Sequence, residues 1–170
     1  METIDFRQDL LPLKDKIFRL ALRVCLNREE AEDITQDILV RAWEQRQMLA
    51  GVRSIEAWVL TATHRLAIDH LRQRERQNES LDDDRDDRPD SSPDVQQQIE
   101  DDERRQRLRQ CIDSLPPPQR TIIQLRDIEG HSVAETAAIT GLSEDNVKVL
   151  THRARQALKN FITKHIHHGL

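Results

Sequence analysis

The chain has 170 residues, of which 34% are charged and 3% aromatic, and its formal net charge at pH 7 is −5. This composition is unlike that of sheet-rich proteins and favours an all-α fold of short, charged helices. The length suits one ordinary domain or two small helical domains. No apolar stretch approaches the ~20 residues that span a bilayer, and the acidic N-terminal residues do not form a signal peptide. We therefore expect a cytoplasmic protein without membrane insertion.

The charge is distributed unevenly along the chain. Residues 1–78 carry 13 acidic and 13 basic side chains, residues 79–103 carry 12 and 2, and residues 104–170 carry 6 and 11. The acidity therefore lies in one short segment, and the last third of the chain is basic. Such asymmetry is more informative about binding partners than the overall isoelectric point.

The first predicted domain spans residues 5–77 and contains three helices. Apolar residues at helical spacing in LPLKDKIFRLALRVCL predict the first helix. Asn27 followed by Glu30 resembles a capping box, which predicts a second helix over residues 28–47. Ser54 is the expected N-cap of a long third helix, IEAWVLTATHRLAIDHLRQRER.

A flexible acidic linker is predicted at residues 78–94. The stretch QNESLDDDRDDRPDSSP combines low hydrophobicity with a high density of like charge. Such a segment cannot bury enough surface to offset the entropy lost on ordering, and repulsion between its charges extends it. We therefore expect a tether between two helical domains.

The second predicted domain spans residues 95–166 and contains a helix-turn-helix. Ser132 and Glu135 form a capping box at the start of one helix. Gly141 then makes a tight turn, and Ser143 caps the final helix. A helix, a glycine-containing turn and a second helix follow one another as in a helix-turn-helix.

The final predicted helix has an apolar face and an opposite basic face. At 100° per residue the inward face collects Val147, Leu150, Ala154, Ala157 and Leu158. The basic face collects Lys148, His152, Arg155 and Lys159. A basic stripe on the second helix of a helix-turn-helix suits the major groove of DNA. A solvated basic face is the alternative, but it does not explain why the positive charge of the chain concentrates here.

The third predicted helix carries an aromatic and basic strip between two apolar faces. The strip contains Trp58, Thr61, Arg65, Arg72 and Arg76, and His64 lies beside it. Aromatic rings stack on bases and arginines hold phosphates, so such a strip suits single-stranded nucleic acid. The alternative is that Trp58 is simply a core residue.

The second predicted helix, within AEDITQDILVRAW, carries a polar face formed by Asp33, Gln36, Asp37 and Val40. Two carboxylates four residues apart repel each other slightly and do not stabilise a helix. An acidic stripe around an exposed valine suits protein docking, because complementary charge steers a partner and a small apolar patch holds it. The alternatives are a solvated face and a catalytic or metal site, although the helix offers no nucleophile or companion ligand.

Three blocks of the sequence together resemble bacterial sigma factors of the extracytoplasmic-function group. The blocks are AEDITQDILVRAW, AWVLTATHRLAIDHLRQR and SLPPPQRTIIQLRDIEGHSVAETAAITGLSEDNVKVLTHRARQAL. The resemblance implies that Asp33, Gln36 and Asp37 bind the coiled coil of the largest subunit of core RNA polymerase. It also implies contacts with the polymerase flap, a linker that threads toward the active centre, and an anti-sigma factor that covers these faces in the free protein.

The resemblance further implies two DNA-reading regions. The third helix corresponds to the segment that opens the promoter −10 element and captures a flipped base, and the helix-turn-helix corresponds to the reader of the −35 element. The positions that match the groove-facing side of the reader are Lys148, Val149, His152 and Arg153. Three positions depart from the common pattern: Arg65 stands where many members have Asn, and Val149 and Leu150 stand where many have a Ser-Arg pair.

The resemblance therefore predicts a sigma factor that has no catalytic activity and needs no cofactor. The alternative function is a stand-alone helix-turn-helix regulator, which leaves the first domain without a role. An enzyme with a carboxylate site on the second helix is a further, weaker alternative. Cys25 and Cys111 lie far apart in apolar helical patterns, so we expect buried free thiols rather than a disulfide framework or a zinc site.

Overall fold

The computed structural model describes residues 3–78 and 99–168, and in these two stretches the chain forms helices and no strand. The α-helices are α1 (Lys14–Cys25), α2 (Arg28–Glu44), α3 (Arg46–Leu49), α4 (Ile55–Asn78), α5 (Ile99–Asp113), α6 (Pro117–Ile123), α7 (Val133–Thr140) and α8 (Glu144–His168). A π-helical turn (Phe6–Leu10) and a 3-10 turn (Leu11–Leu13) precede α1, and a second π-helical turn (Gln124–Ile128) follows α6. The predicted all-α fold is confirmed. None of the helices in this part of the chain is long and apolar enough to cross a membrane.

The main hydrophobic core lies between α1, α2 and α4. Each helix contributes the apolar residues that recur at helical spacing on one of its faces. The fully buried members include Ile17, Leu20, Val24, Ile34, Ile38, Val59, Leu60 and Ala67. Because one face of each helix is committed to this core, the opposite faces of α2 and α4 are fixed in their orientation toward solvent.

A smaller core joins α5, α6 and α8 through Ile112, Leu115, Ile123 and Ala154. Two residues that lie between α6 and α8 in the chain, Leu125 and Ile139, belong to the main core instead. In addition, α7 packs against α4, and α6 packs against α1. The C-terminal helices are therefore packed on the N-terminal helices in this structure.

The division into two domains at residues 5–77 and 95–166 stays a prediction. The linker predicted at residues 78–94 lies, apart from Asn78, outside the described residues.

The helix starts follow the predicted capping residues with one difference. Ser132 Oγ accepts a hydrogen bond from the Glu135 amide, and Glu135 Oε1 accepts one from the Ser132 amide, each at 3.0 Å. Asn27 Oδ1 likewise accepts from the Glu30 amide at 2.9 Å. The Glu30 carboxylate, however, pairs with Arg74 of α4 at 3.3 Å. The capping box predicted at Asn27 is half formed, because a tertiary ion pair takes its carboxylate.

The second helix ends at Glu44, three residues before the predicted end at residue 47. Gln45 leaves the helical conformation, with φ −101° and ψ 20°. The following residues form the separate single turn α3, whose last residue, Leu49, is fully buried. Leu49 belongs to the main hydrophobic core, a tertiary contact that local helical periodicity does not indicate.

Both cysteines are buried free thiols, as their spacing predicted. Cys25 Sγ donates a hydrogen bond to the Ala67 carbonyl at 3.4 Å, which joins α1 to α4. Burial raises the pKa of the Cys25 thiol to about 12 and also raises the pKa of Cys111. The thiolate is the reactive form of cysteine, so burial disfavours reaction at both side chains.

Candidate functional site

One face of α2, here called the acidic stripe, is exposed along its length. It is formed by Asp33, Gln36, Asp37 and Val40. Ile34 and Ile38 on the opposite face are fully buried, so packing of the main core holds the stripe outward. Asp37 pairs with Arg41 at 4.0 Å, but both side chains are at least half exposed. Such solvated pairs contribute little, so the carboxylates remain available to a partner.

An aromatic patch extends the acidic stripe by one helical turn. Trp43 follows Val40 by three residues, and both side chains are exposed, by 39% and 54%. The Phe6 ring meets the Trp43 ring edge-on, with 5.9 Å between centroids. The Arg46 guanidinium lies 4.3 Å from the centroid of the same indole. Trp43 was not among the residues predicted from the sequence, although its spacing from Val40 was a signal for it.

An open cavity of about 510 Å³ lies at the N-terminal end of α4. Its walls are formed by Val52, Arg53, Ser54, Ala57, Trp58, Thr61, Ala62 and Arg65. Ser54 Oγ accepts a hydrogen bond from the Ala57 amide at 3.0 Å, which caps α4 as predicted. The cap fixes the first turn of the helix, and with it the side of the cavity that α4 forms.

The cavity brings together three of the residues predicted for the −10 element: Trp58, Thr61 and Arg65. It adds Arg53, which the sequence pattern did not indicate because it lies before the helix. An indole beside two guanidinium groups can stack on an unpaired base and hold its phosphates. Two further predicted residues, Arg72 and Arg76, are exposed about two and three turns beyond Arg65, so they extend the basic strip without lining the cavity.

His64 lies beside the strip and is partly buried. Burial and the positive charges of Arg65 and Arg72 lower its pKa to about 4. The imidazole is therefore neutral at pH 7 and adds no positive charge to the strip. A DNA contact by His64 stays a prediction.

We expect the protein to lose stability through His64 as the pH falls from about 6.5 toward 4. The unfolded chain takes up the proton near its ordinary pKa of about 6.5, whereas the folded chain resists it until about pH 4. Above both pKa values the imidazole is neutral in the folded and in the unfolded chain. Between the two pKa values the unfolded chain binds more protons, so the free energy of unfolding falls by up to about 3 kcal/mol. Urea titrations at pH 7 and 4.5 should show that the free energy of unfolding falls less for His64→Asn than for the wild type. Equal losses of unfolding free energy in the two proteins would contradict the lowered pKa of His64.

The helix-turn-helix consists of α7, a turn at Gly141 and α8. Gly141 has φ 79°, a left-handed conformation that glycine adopts without strain. Ser143 Oγ accepts a hydrogen bond from the Asn146 amide at 3.1 Å and caps α8 as predicted. Val147 and Ala154 are fully buried, so the other face of α8 is turned outward. The predicted −35 residues are all exposed on α8: Lys148, Val149, His152, Arg153, Arg155 and Lys159.

Among the predicted −35 residues, Arg155 forms a two-point ion pair within the protein. Its Nε donates to Asp127 Oδ2 at 3.0 Å, and its Nη2 donates to Asp127 Oδ1. These hydrogen bonds raise the pKa of Arg155. The pair ties α8 to the π-helical turn after α6, so a DNA phosphate has to compete with Asp127 for this guanidinium.

The described part of the chain contains no candidate metal-binding site. Within residues 3–78 and 99–168 no group of three His, Cys, Asp or Glu side chains is arranged to hold a metal ion. The surfaces described above instead combine an exposed acidic and aromatic face with two basic ones, one on α4 and one on the helix-turn-helix. Such surfaces suit a helical protein that binds DNA and docks on another protein.

Comparisons with known proteins identify the family. The family models for "Sigma-70 region 2" and "Sigma-70, region 4" match residues 12–77 and 105–158. The ECF RNA polymerase sigma factor SigL of Mycobacterium tuberculosis is 30% identical over 144 residues, covering 84% of this chain and 80% of that protein. SigE of Mycolicibacterium smegmatis is 35% identical over 152 residues. That match covers 89% of this chain, which spans only 59% of the length of SigE.

Solved structures share the fold. The sigma factor RpoE of Bartonella quintana, solved with the anti-sigma factor NepR, superposes with a TM-score of 0.73 at 24% identity, covering 94% of this chain and 97% of that one. CnrH, solved with the cytosolic domain of CnrY, gives a TM-score of 0.65 at 22% identity, covering 94% and 88%. On the sequence matches, the chain belongs to the family of extracytoplasmic-function (ECF) RNA polymerase sigma factors.

Proposed function

We propose that this protein binds core RNA polymerase, directs it to promoters with two recognition elements and helps to open the −10 region. The observation that carries the proposal is the presence of three outward faces on one chain: the acidic stripe, the basic strip with its cavity, and the exposed face of α8. Each face is held outward by a buried face on the same helix. A regulator that works without polymerase needs only the last of the three.

The acidic stripe is assigned to the polymerase. Asp33, Gln36 and Asp37 supply charge and hydrogen-bonding groups, and Val40 supplies an apolar contact at the end of the stripe. These groups suit a basic surface such as the coiled coil of the largest polymerase subunit, because opposite charges steer the encounter and reject other partners. The C-terminal helices contact the polymerase flap in this proposal, with the acidic linker between the two domains following the path toward the active centre.

The two basic faces are assigned to the promoter. The cavity at the start of α4 receives an unpaired base of the −10 element, with Trp58 as the stacking surface and Arg53 and Arg65 near the phosphates. The exposed face of α8 enters the major groove at the −35 element. Lys148 and Val149 lie in the second turn of the helix, where side chains of a recognition helix reach base edges, and Lys159 lies farther along, where phosphates are contacted.

The protein acts in this scheme as a binding factor in the cytoplasm and contributes no catalytic step. An anti-sigma factor is a further proposed partner. RpoE of Bartonella quintana was solved in complex with one, and this chain shares its fold over 94% of its length. Such a partner restrains the protein by covering the faces that polymerase and DNA use.

Fragment selection from genomic DNA of the source organism, with and without core polymerase, tests the proposal. We expect the chain to retain specific fragments only when core polymerase is present, because the polymerase-binding and DNA-binding faces act together. A stand-alone regulator instead retains the same fragments by itself, and that result would contradict the proposal. The measurement is sequencing of the retained fragments from the two reactions.

A further inference from the structure

Arg155 lies within the basic face of α8, between His152 and Lys159. These three residues and Lys148 recur at helical spacing within an arc of about 60°. Ala154, the residue before Arg155, is fully buried in the core that joins α5, α6 and α8, so the register of α8 is fixed at this point. The side chain of Arg155 is 54% exposed. Its position on the helix is therefore one at which a recognition helix meets DNA phosphates.

The guanidinium of Arg155 already has an anionic partner inside the protein. Its Nε and Nη2 donate to the two carboxylate oxygens of Asp127, with 3.0 Å between Nε and Oδ2. Arginine binds the oxygens of a phosphate with the same two-point geometry. Within residues 3–78 and 99–168, the side chains of Lys148, His152 and Lys159 form no ion pair. Asp127 therefore holds one member of the basic face in the way that a phosphate holds it.

The turn that carries Asp127 holds the carboxylate in position. Asp127 lies in the π-helical turn Gln124–Ile128, two residues after the fully buried Leu125. The Glu129 amide closes this turn by donating to the Gln124 carbonyl at 3.0 Å. Because the backbone is fixed, pairing with Arg155 costs little further conformational entropy. A DNA phosphate has to come from solution, whereas the internal carboxylate acts at a high effective concentration.

An exposed ion pair that opens readily is the alternative account of this contact. Isolated surface pairs contribute little, but two-point pairs between arginine and a carboxylate are an exception. The Asp127 side chain is also only 35% exposed. The geometry therefore favours a pair that persists over one that a phosphate displaces.

We propose that Asp127 is an internal phosphate mimic that masks Arg155 from DNA. The pair stays closed when α8 lies against a duplex, so the chain makes one phosphate contact fewer than its basic face offers.

The masking limits affinity without changing which sequence is read. Phosphate contacts position a protein on a duplex and carry no sequence information, whereas contacts with base edges do. Asp127 therefore lowers the affinity of the chain for any DNA and leaves base reading to the first turns of α8. The consequence for the −35 element rests on the proposed function, but the masking itself concerns duplex DNA of any sequence.

The first test is the salt dependence of duplex binding by the full-length chain. Each phosphate that a protein neutralises steepens the plot of log K against log salt concentration by about 0.9. Asp127→Asn keeps the size of the side chain but removes its charge and one of its two acceptors, so Arg155 becomes available to a phosphate. The plot should then steepen by about 0.9, and the affinity at low salt should rise several-fold. Fluorescence anisotropy with a labelled duplex of arbitrary sequence is the measurement.

Two further variants separate the release of Arg155 from the loss of a negative charge. Asp127→Asn with Arg155→Gln lacks the released guanidinium and should return to the wild-type salt dependence. The matched control, Asp145→Asn, makes the same charge change in the exposed first turn of α8, at a carboxylate without an ion pair in the part of the chain that the structure describes. It should also keep the wild-type salt dependence, and circular dichroism checks the helix content of each variant.

Three results would each overturn the masking. The first is an Asp127→Asn variant with the salt dependence of the wild type, which means that Arg155 gains no phosphate. The second is a double variant as steep as Asp127→Asn, and the third is an Asp145→Asn control as steep as Asp127→Asn. Either of these last two means that the lost negative charge, and not the guanidinium of Arg155, causes the change.

The second test compares sequences. Asp127→Asn should bind a duplex that carries a −35 element and a scrambled duplex more tightly by the same factor, because a phosphate contact acts on all sequences alike. A gain confined to one sequence would overturn the proposal, since Arg155 would then read a base. If core polymerase gives no promoter-dependent transcript with the chain while the salt dependence changes as expected, the proposed function fails and the masking of Arg155 stands.

Discussion

Replacing Asp33 and Asp37 by arginine should abolish binding to core RNA polymerase without unfolding the protein. Both side chains lie on the exposed acidic stripe, and the buried residues of α2 are on its other face. The double reversal changes the charge of the stripe by four, so attraction to a basic partner becomes repulsion, and like charges at an interface cost several kcal/mol. Surface substitutions of this kind usually change stability by about 0.5 kcal/mol or less. Retention of core polymerase on the immobilised chain is the measurement.

A matched control separates this loss from a general effect of added positive charge. Asp69→Arg with Glu75→Arg makes the same charge change at exposed positions of α4, outside the acidic stripe. The control should retain the polymerase as the wild type does, and thermal unfolding should be similar for all three proteins. Undiminished retention by the stripe variant would show that α2 does not carry the polymerase contact.

Replacing Arg120 by methionine should lower the free energy of unfolding by about 3 kcal/mol, because it leaves buried carbonyls without donors. The guanidinium bonds the carbonyls of Arg23 and Val24 and, through Nη1 at 3.1 Å, that of Leu115. Burial lowers the pKa of Arg120, so removal of a buried charge offsets part of the loss. Methionine fills a similar length, so the missing hydrogen bonds rather than a cavity dominate the effect.

Urea unfolding at pH 7 measures this loss. The control is Arg109→Met, which removes an exposed arginine from α5 and should change the free energy of unfolding by about 0.5 kcal/mol or less. Equal midpoints for the two variants would show that the hydrogen bonds of Arg120 do not stabilise the protein.

Local features of the fold could be predicted from the sequence because their causes are local. Ser54, Ser132 and Ser143 were recognised as caps from spacing alone, and each makes the expected hydrogen bond to a backbone amide. The end of α2 was wrong by three residues because Gln45 leaves the helical conformation and the next turn buries Leu49, a tertiary contact. Glu30 was expected to complete a capping box, but it pairs with an arginine of α4 that no local pattern reveals.

Some features of the candidate site could likewise be predicted from local sequence patterns, and others could not. The exposed faces of α2 and α8 follow from helical periodicity, which assigns each residue to a face once the apolar side is known. Arg53 in the cavity wall precedes its helix, so no periodic pattern identified it. The pair between Asp127 and Arg155 joins residues 28 apart, and the contact of Arg120 with Val24 joins residues 96 apart. Contacts over such separations depend on how helices pack, and a single sequence carries no periodic signal for them.

The central claim is that this chain gives promoter specificity to core RNA polymerase. The most direct measurement is transcription in vitro with purified core polymerase and genomic templates from the source organism, with transcript 5′ ends mapped by sequencing. The account predicts transcripts that start at defined positions only when the chain is added, downstream of a shared pair of sequence elements. Core polymerase that gives the same transcripts with and without the chain would contradict it.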